Sequence, residues 1–261
     1  MSNWSLDYGN EQHIGSRKEQ QDYFASFPPD MEVVMSDRGF LVVVADGMGG
    51  HSDGAKASVL AVNVFLEEYK AAITRLPVIE ALKHSLHKSN KSICDANIKT
   101  GYQSDMGSTL VACVLHHDLL YWISIGDSRI YVARDGALQR VNEEHSLRAE
   151  MEKKKNLAHA PVDDVPLDSK TKHMLTSYLG IENIKKLDYS KAPLEMKPGD
   201  RVLLCTDGLF KALSEKEILE CLNMAAPAQK KCEIIIERIA RKKIPNQDNT
   251  TIVLFCLNEK L

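Results

Sequence analysis

The chain has 261 residues, 44% of them hydrophobic, which is enough to bury the core of one large domain spanning 1–261. Its 33 basic and 36 acidic residues are spread along the sequence and leave a formal net charge of -3, with no basic block of the kind that tracks a nucleic-acid backbone. No segment approaches the ~20 apolar residues of a membrane span, and the N-terminus lacks a charged region leading into an apolar one. The expectation is a soluble, cytoplasmic monomer with neither nucleic acid nor membrane as a partner.

In chain order, "GFLVVVAD" reads as a strand hidden on both sides, closed by the carboxylate of Asp46 and followed by "GMGGHSDG". Two helical patterns follow, "GAKASVLAVNVFLEEYKAAI" and "PVIEALKHSLHKSNKSICDANI". In the first, Val59, Val62, Leu66 and Tyr69 form one stripe, and Pro77 suits the first turn of the second. Strand-like runs rich in β-branched and aromatic residues come next: "STLVACVL", "LLYWISIGD" and "RIYVARDGALQRV", the last folded at Asp135-Gly136 into a hairpin that needs positive φ. From about 145 to 179 the chain is polar, proline-broken and weakly periodic, which suggests a surface flap. "DRVLLCTDG" and "TTIVLFCL" add strands. Between them lie two helices, one starting with a capping box from Ser214 to Glu217, the other ending near Arg241 to Lys243. Hairpins, paired helices and hairpins again imply an antiparallel α+β layering rather than a βαβ repeat. The six cysteines occur singly, mostly within apolar patterns, and are expected to be reduced packed thiols.

The chemistry gathers on aspartates. Asp46, Asp127, Asp207 and Asp248 each stand at the mouth of an apolar strand beside glycine or asparagine, and Asp22 follows a basic stretch. A single Asp-Gly is ordinarily a turn former, but strands of one sheet can bring several such ends to one site. Converging carboxylates repel unless cations neutralise them, and oxygen donors without a Cys or His cluster favour Mg²⁺ or Mn²⁺ over zinc or copper. A glycine beside the carboxylate lets the backbone approach an ion. Two ions ~3.5–4 Å apart lower the pKa of a shared water and create a hydroxide for in-line attack on phosphorus. Arg17, five residues before Asp22, offers a guanidinium able to grip two phosphate oxygens.

Taken in order, "GSRKEQQD", "VVVADGMGG", "DMGSTLVACVL", "YWISIGDSRIYVARDG", "LEMKPGDRVLLCTDGLF" and "NQDNTTIVLF" resemble the metal-dependent Ser/Thr protein phosphatases of type 2C. The "DGMGGH" form is similar to the bacterial branch. The resemblance implies a four-layer αββα sandwich of two antiparallel sheets flanked by helix pairs. It further implies that Asp46 bridges two Mn²⁺ or Mg²⁺ ions and that Gly47 offers its carbonyl to one. Asp207 and Asp248 would complete the other, Asp22 would hold coordinated water, and Arg17 would bind the substrate phosphate. Asp127 with Asp207 looks like the support of a third ion. The implied substrates are phosphorylated proteins, opposite a Ser/Thr kinase.

Two departures from the family pattern bear on this. Gln21-Asp22 stands where many members have Glu-Asp, which removes a charge near the second ion, and Glu144-His145-Ser146 stands in place of Asp-His-Ser. His51, the nearest histidine to the proposed ions, is either the proton donor to the departing alkoxide or a solvated loop residue. Two other functions compete: phosphoryl transfer through an aspartate nucleophile at Asp46, disfavoured because Met48 replaces the second carboxylate of an Asp-x-Asp pattern, and a phosphoprotein-binding module with little turnover.

Overall fold

The computed structural model describes residues 4–28, 38–49, 53–99, 106–158 and 174–260. One sheet has the order β1-β12-β11-β7-β8, formed by Trp4–His13, Thr250–Glu259, Arg201–Cys205, Arg129–Arg134 and Ala137–Arg140. The second runs β10-β6-β5-β3-β2, formed by Leu194–Glu195, Leu119–Ile125, Leu110–His116, Phe40–Met48 and Asp22–Phe27. β4 (Gly107–Ser108) pairs with β3, and β9 (Asp188–Tyr189) with β6. Every one of these pairings is antiparallel.

Strand alternation explains the layering. Phe40, Val42 and Val44 of β3 join Val111 and Cys113 of β5 against Val202, Leu204, Val253 and Phe255 of the other sheet, forming the inner core. The intervening Leu41, Val43 and Ala45 face the opposite way, onto α1 (Asp53–Ala72) and α2 (Val78–Lys99). On the far side, Leu203, Cys205, Ile252 and Leu254 turn outward onto α4 (Asp207–Ala212), α5 (Glu215–Leu222) and α6 (Ala228–Lys242). β3 is continuously apolar because both of its faces are covered, and the expected αββα sandwich is present.

Several elements differ from expectation. β1 was not legible as a strand, since "WSLDYGNEQH" is half polar, yet all ten residues pair with β12 from Trp4↔Glu259 to His13↔Thr250. Short β2, β9 and β10 likewise lack an apolar run. On α1 the buried stripe is Ala57, Ala61, Val62, Phe65 and Tyr69, whereas Val59 is 37% exposed. The small residues at 57 and 61 face the sheet and let the helix lie close to it, which turns Val59 outward. The polar stretch after His145 forms a helix, α3 (Leu147–Ala158), and the rest of the flap through 173 lies outside the described residues. The hairpin at Asp135 (φ 50°) and Gly136 (φ 76°) and the reciprocal capping box of Ser214 and Glu217 form as expected. All six cysteines are free thiols.

β3 does not end at Asp46. It pairs with β2 as far as Asp22↔Asp46 and then changes partner, Gly47↔Ser108 and Met48↔Gly107. At this crossing the backbone of β3 meets the first turn of α1, and a Cβ on Gly47 would collide with the carbonyl oxygen of Gly54. Gly47 is thus required by packing. Gly47→Ala is expected to cost about 1–3 kcal/mol, and so to lower Tm by several degrees, equally with Mn²⁺ and with chelator. A loss of Tm seen only with Mn²⁺, in differential scanning calorimetry, would place the glycine's role in ion binding instead.

Candidate active site

The aspartates reach one cleft from both sheets. Asp22 opens β2 and faces Asp46 across the ladder. Asp127 follows Gly126 (φ 99°) in the turn between β6 and β7, Asp207 is the first residue of α4 directly after β11 and Thr206, and Asp248 precedes β12. Arg17 lies in the loop between β1 and β2. A cavity of about 250 Å³ opens among them, lined by Arg17, Asp46, Gly47, Asp127, Asp207 and Asp248, with Leu175 reaching it from the returning flap. Asp22 sits behind this wall, 4% exposed.

The supports are short and polar. The Asp46 amide donates to Thr109 Oγ1 at 3.0 Å, while its carbonyl accepts from the Thr109 amide at 2.9 Å and from Ser108 Oγ at 3.0 Å. Thr206 Oγ1 donates to Asp22 Oδ2 at 2.8 Å, and the other carboxylate oxygen, Oδ1, is buried without a hydrogen-bond partner among the described residues. Arg17 Nη2 donates to Asp248 Oδ2 at 2.8 Å, and Lys211 Nζ pairs with Asp207 Oδ2. Gln21 enters through its backbone: its amide donates to Asn249 Oδ1 at 2.8 Å and its carbonyl accepts from Gly47 N at 3.1 Å.

Asp22, Asp46 and Asp127 resist ionisation. Burial pushes Asp22 up to about 7, opposed by hydrogen bonds from Thr206 and Thr251 and reinforced by Asp207 and Asp248. Burial likewise drives Asp46 well above the usual carboxylate range, with Asp22, Asp207, Asp127 and Asp248 adding their repulsion. Asp127 rises to about 7, chiefly by burial and then by Asp207, although Lys211 lowers it. Burial disfavours the Lys211 ammonium, but Asp207 foremost, then Asp127 and Asp248, hold it charged, so that its pKa is raised. Arg17 is raised mainly by its hydrogen bond to Asp248.

Among the described residues, no three His, Cys, Asp or Glu side chains already meet around one point in the manner of a finished ion site. The donor set nevertheless fits a hard divalent cation. It is all oxygen, burial and neighbouring carboxylates raise Asp22, Asp46 and Asp127, and Asp22 presents a buried oxygen without a partner among the described residues. Lys211 was not anticipated, although its place four residues after Asp207 at the start of a helix was a readable signal. Thr206 and Thr109 were not singled out either. His51 and Gly50 lie outside the described residues.

The departure at Glu144-His145-Ser146 is not a surface feature. His145 is buried; its Nδ1 accepts from Gly126 N at 3.1 Å and its own amide donates to the Gly126 carbonyl at 2.8 Å, anchoring the flap one residue from Asp127. Glu144 accepts from Arg129 Nη2 at 2.9 Å and Arg140 Nη1 at 3.0 Å, and Arg129 stacks over Phe210 of α4 at 3.5 Å. Asp163 and Asp164 of the flap lie outside the described residues.

Comparison with known proteins agrees with this geometry. The family model for Protein phosphatase 2C matches residues 10–247. A serine/threonine phosphatase, stp, of Listeria monocytogenes is 29% identical over 217 residues, covering 82% of this chain and 83% of that one. The protein phosphatase PhpP of Streptococcus pneumoniae is 29% identical over 224 residues, covering 84% of this chain and 87% of its own length. Among solved structures, the catalytic domain of the phosphatase PstP, in complex with two manganese ions, superposes with a TM-score of 0.74 at 26% identity, covering 98% of this chain and 99% of that one. The match across nearly the whole chain, on a sandwich that gathers these aspartates at one cleft, means that the chain belongs to the protein phosphatase 2C family.

Proposed function

We propose that this protein hydrolyses phosphoserine and phosphothreonine in proteins with Mn²⁺ or Mg²⁺, opposite a Ser/Thr kinase. The observation that carries the reading is the acidic cleft itself, in which Asp46, Asp207 and Asp248 share a wall with Arg17 and the Gly47 backbone. The names of the Listeria and Streptococcus relatives and the manganese complex of PstP support it. Among the described residues no helix is long and apolar enough to cross a membrane.

In this reading Asp46, the Gly47 carbonyl, Asp207 and Asp248 would hold two divalent ions. The bound ions supply a water nucleophile of lowered pKa and neutralise charge on the phosphoryl oxygens. The chain's own groups do the rest. Arg17, 55% exposed on its loop, exchanges Asp248 for the substrate phosphate, where its fork can take two oxygens. Asp22, fixed through Oδ2 by Thr206 behind the cleft wall, would accept from water at Oδ1. Ser108 and Thr109 hold the Asp46 backbone at its amide and its carbonyl, which fixes the point from which the carboxylate enters the cleft.

Asp248→Asn is expected to reduce Mn²⁺-dependent phosphate release from a phosphothreonine peptide by about a hundredfold or more, because it removes an anionic ligand. Undiminished turnover would overturn the assignment, and tight phosphopeptide binding with no turnover in the unaltered protein would favour a binding module. Arg17→Ala is expected to raise KM for the peptide by about tenfold or more while the variant still binds Mn²⁺; an unchanged KM would remove Arg17 from phosphate binding.

The raised carboxyls also set a pH dependence. Asp22 and Asp127 titrate near 7 in the folded chain and near 4 when unfolded, so the folded state binds more protons between those values. The stability present below about pH 4 is therefore lost as pH rises through about 7. In chelator-treated protein the urea midpoint should fall from pH 5 to pH 8, Mn²⁺ should restore it at pH 8, and Asp22→Asn should flatten the slope. A midpoint that rises over this window would contradict the burial of these charges.

A further inference from the structure

We propose that Lys211 is the permanent cation between Asp127 and Asp207, so that no third ion binds between those two carboxylates, while Asp207 remains a ligand on the Asp46–Asp248 side through the carboxylate oxygen that Lys211 does not hold. The inference rests on the metal-dependent reading above and replaces the third ion that the sequence resemblance implied.

Two cations meet the acidic wall, and they are held differently. Arg17 approaches Asp248 from a loop and its side chain is 55% exposed, so little resists its leaving. Lys211 lies four residues after Asp207 on the same helix, α4, where the i,i+4 spacing directs its ammonium onto the Asp207 carboxylate. Its side chain is 37% exposed, and that of Asp207 is 10% exposed. To leave, the lysine would have to abandon a pairing set by the helix rather than by a flexible segment. Its charge also acts on Asp127, whose acidic neighbours are Asp207 and Glu144, the latter already engaged by Arg129 and Arg140. A divalent ion entering between Asp127 and Asp207 would meet a resident positive charge a few ångströms away in a partly buried setting, which weakens binding by orders of magnitude. Phe210, the residue before Lys211, is pinned under Arg129, which fixes this turn of α4 against β7.

The test counts ions rather than turnover. Chelator-treated protein is titrated with Mn²⁺, free ion being followed by electron paramagnetic resonance, for the unaltered chain, Lys211→Gln, Lys211→Arg, and Lys211→Gln combined with Asp127→Asn. Lys211→Gln is expected to bind one more Mn²⁺ per chain, or to bind its weakest ion at least about tenfold more tightly. Lys211→Arg should behave as the unaltered chain, and adding Asp127→Asn should abolish the gain. Equal stoichiometry and affinity in the unaltered chain and Lys211→Gln, or a gain that survives Asp127→Asn, would overturn the inference while leaving metal dependence intact. Failure of all four proteins to bind Mn²⁺ would overturn both.

Discussion

The organising constraint is repulsion between buried carboxylates. Asp22 and Asp46 face one another across adjacent strands, and Asp127, Asp207 and Asp248 press toward them from turns and a helix start. An apolar sandwich gains nothing from this arrangement. Burial foremost drives Asp22, Asp46 and Asp127 toward the neutral form, so a fold that keeps them together must hold them by other means. The means is rigidity: a β3 buried on both faces from Phe40 to Ala45, hydroxyls of Ser108 and Thr109 on the Asp46 backbone, and Thr206 on Asp22. Such a wall stores an electrostatic demand that cations relieve.

The surrounding network distributes that relief unevenly. Arg17 is a movable cation and Lys211 a fixed one, which divides the cleft into a side that exchanges partners and a side that does not. The fixed side is also where the flap is rooted. His145 grips the backbone at Gly126, and Glu144 ties Arg129 and Arg140 together, with Arg129 stacked on α4. Asp127, Asp207 and the flap base are therefore tied into one bonded network, while the Arg17 loop is attached mainly through Asn249 and Gln247.

Much of this could be read in the sequence because the functional residues sit in strong local patterns. The run ending in Asp46 and the "CTDG" and "QDN" segments are short apolar strands meeting acidic residues, and both the elements and the carboxylates appear where those patterns place them. The grouping of hairpins and helix pairs pointed to an antiparallel α+β layering, and the family resemblance implied the four-layer αββα sandwich. What could not be read were features decided by tertiary contact. β1 is a strand because β12 offers ten partners, not because its own residues favour one. Val59 faces outward because small residues pack α1 on the sheet. Gly47 is glycine because Gly54 stands opposite, a reason that no pattern within "ADGMGG" contains. Lys211 is legible in principle, since its four-residue helical spacing from Asp207 is visible in "TDGLFK".

The central claim is that these carboxylates are held against their own repulsion for the sake of divalent cations. Carboxyl-carbon NMR titration of aspartate-labelled protein, with and without Mg²⁺, tests it most directly. Without the ion, Asp22 should titrate near neutrality and Asp46 should stay protonated well above the ordinary carboxylate range; with Mg²⁺ both should be ionised down to about pH 4 or below. Ordinary titration near pH 4 in the ion-free protein, or curves that Mg²⁺ leaves unmoved, would contradict the account.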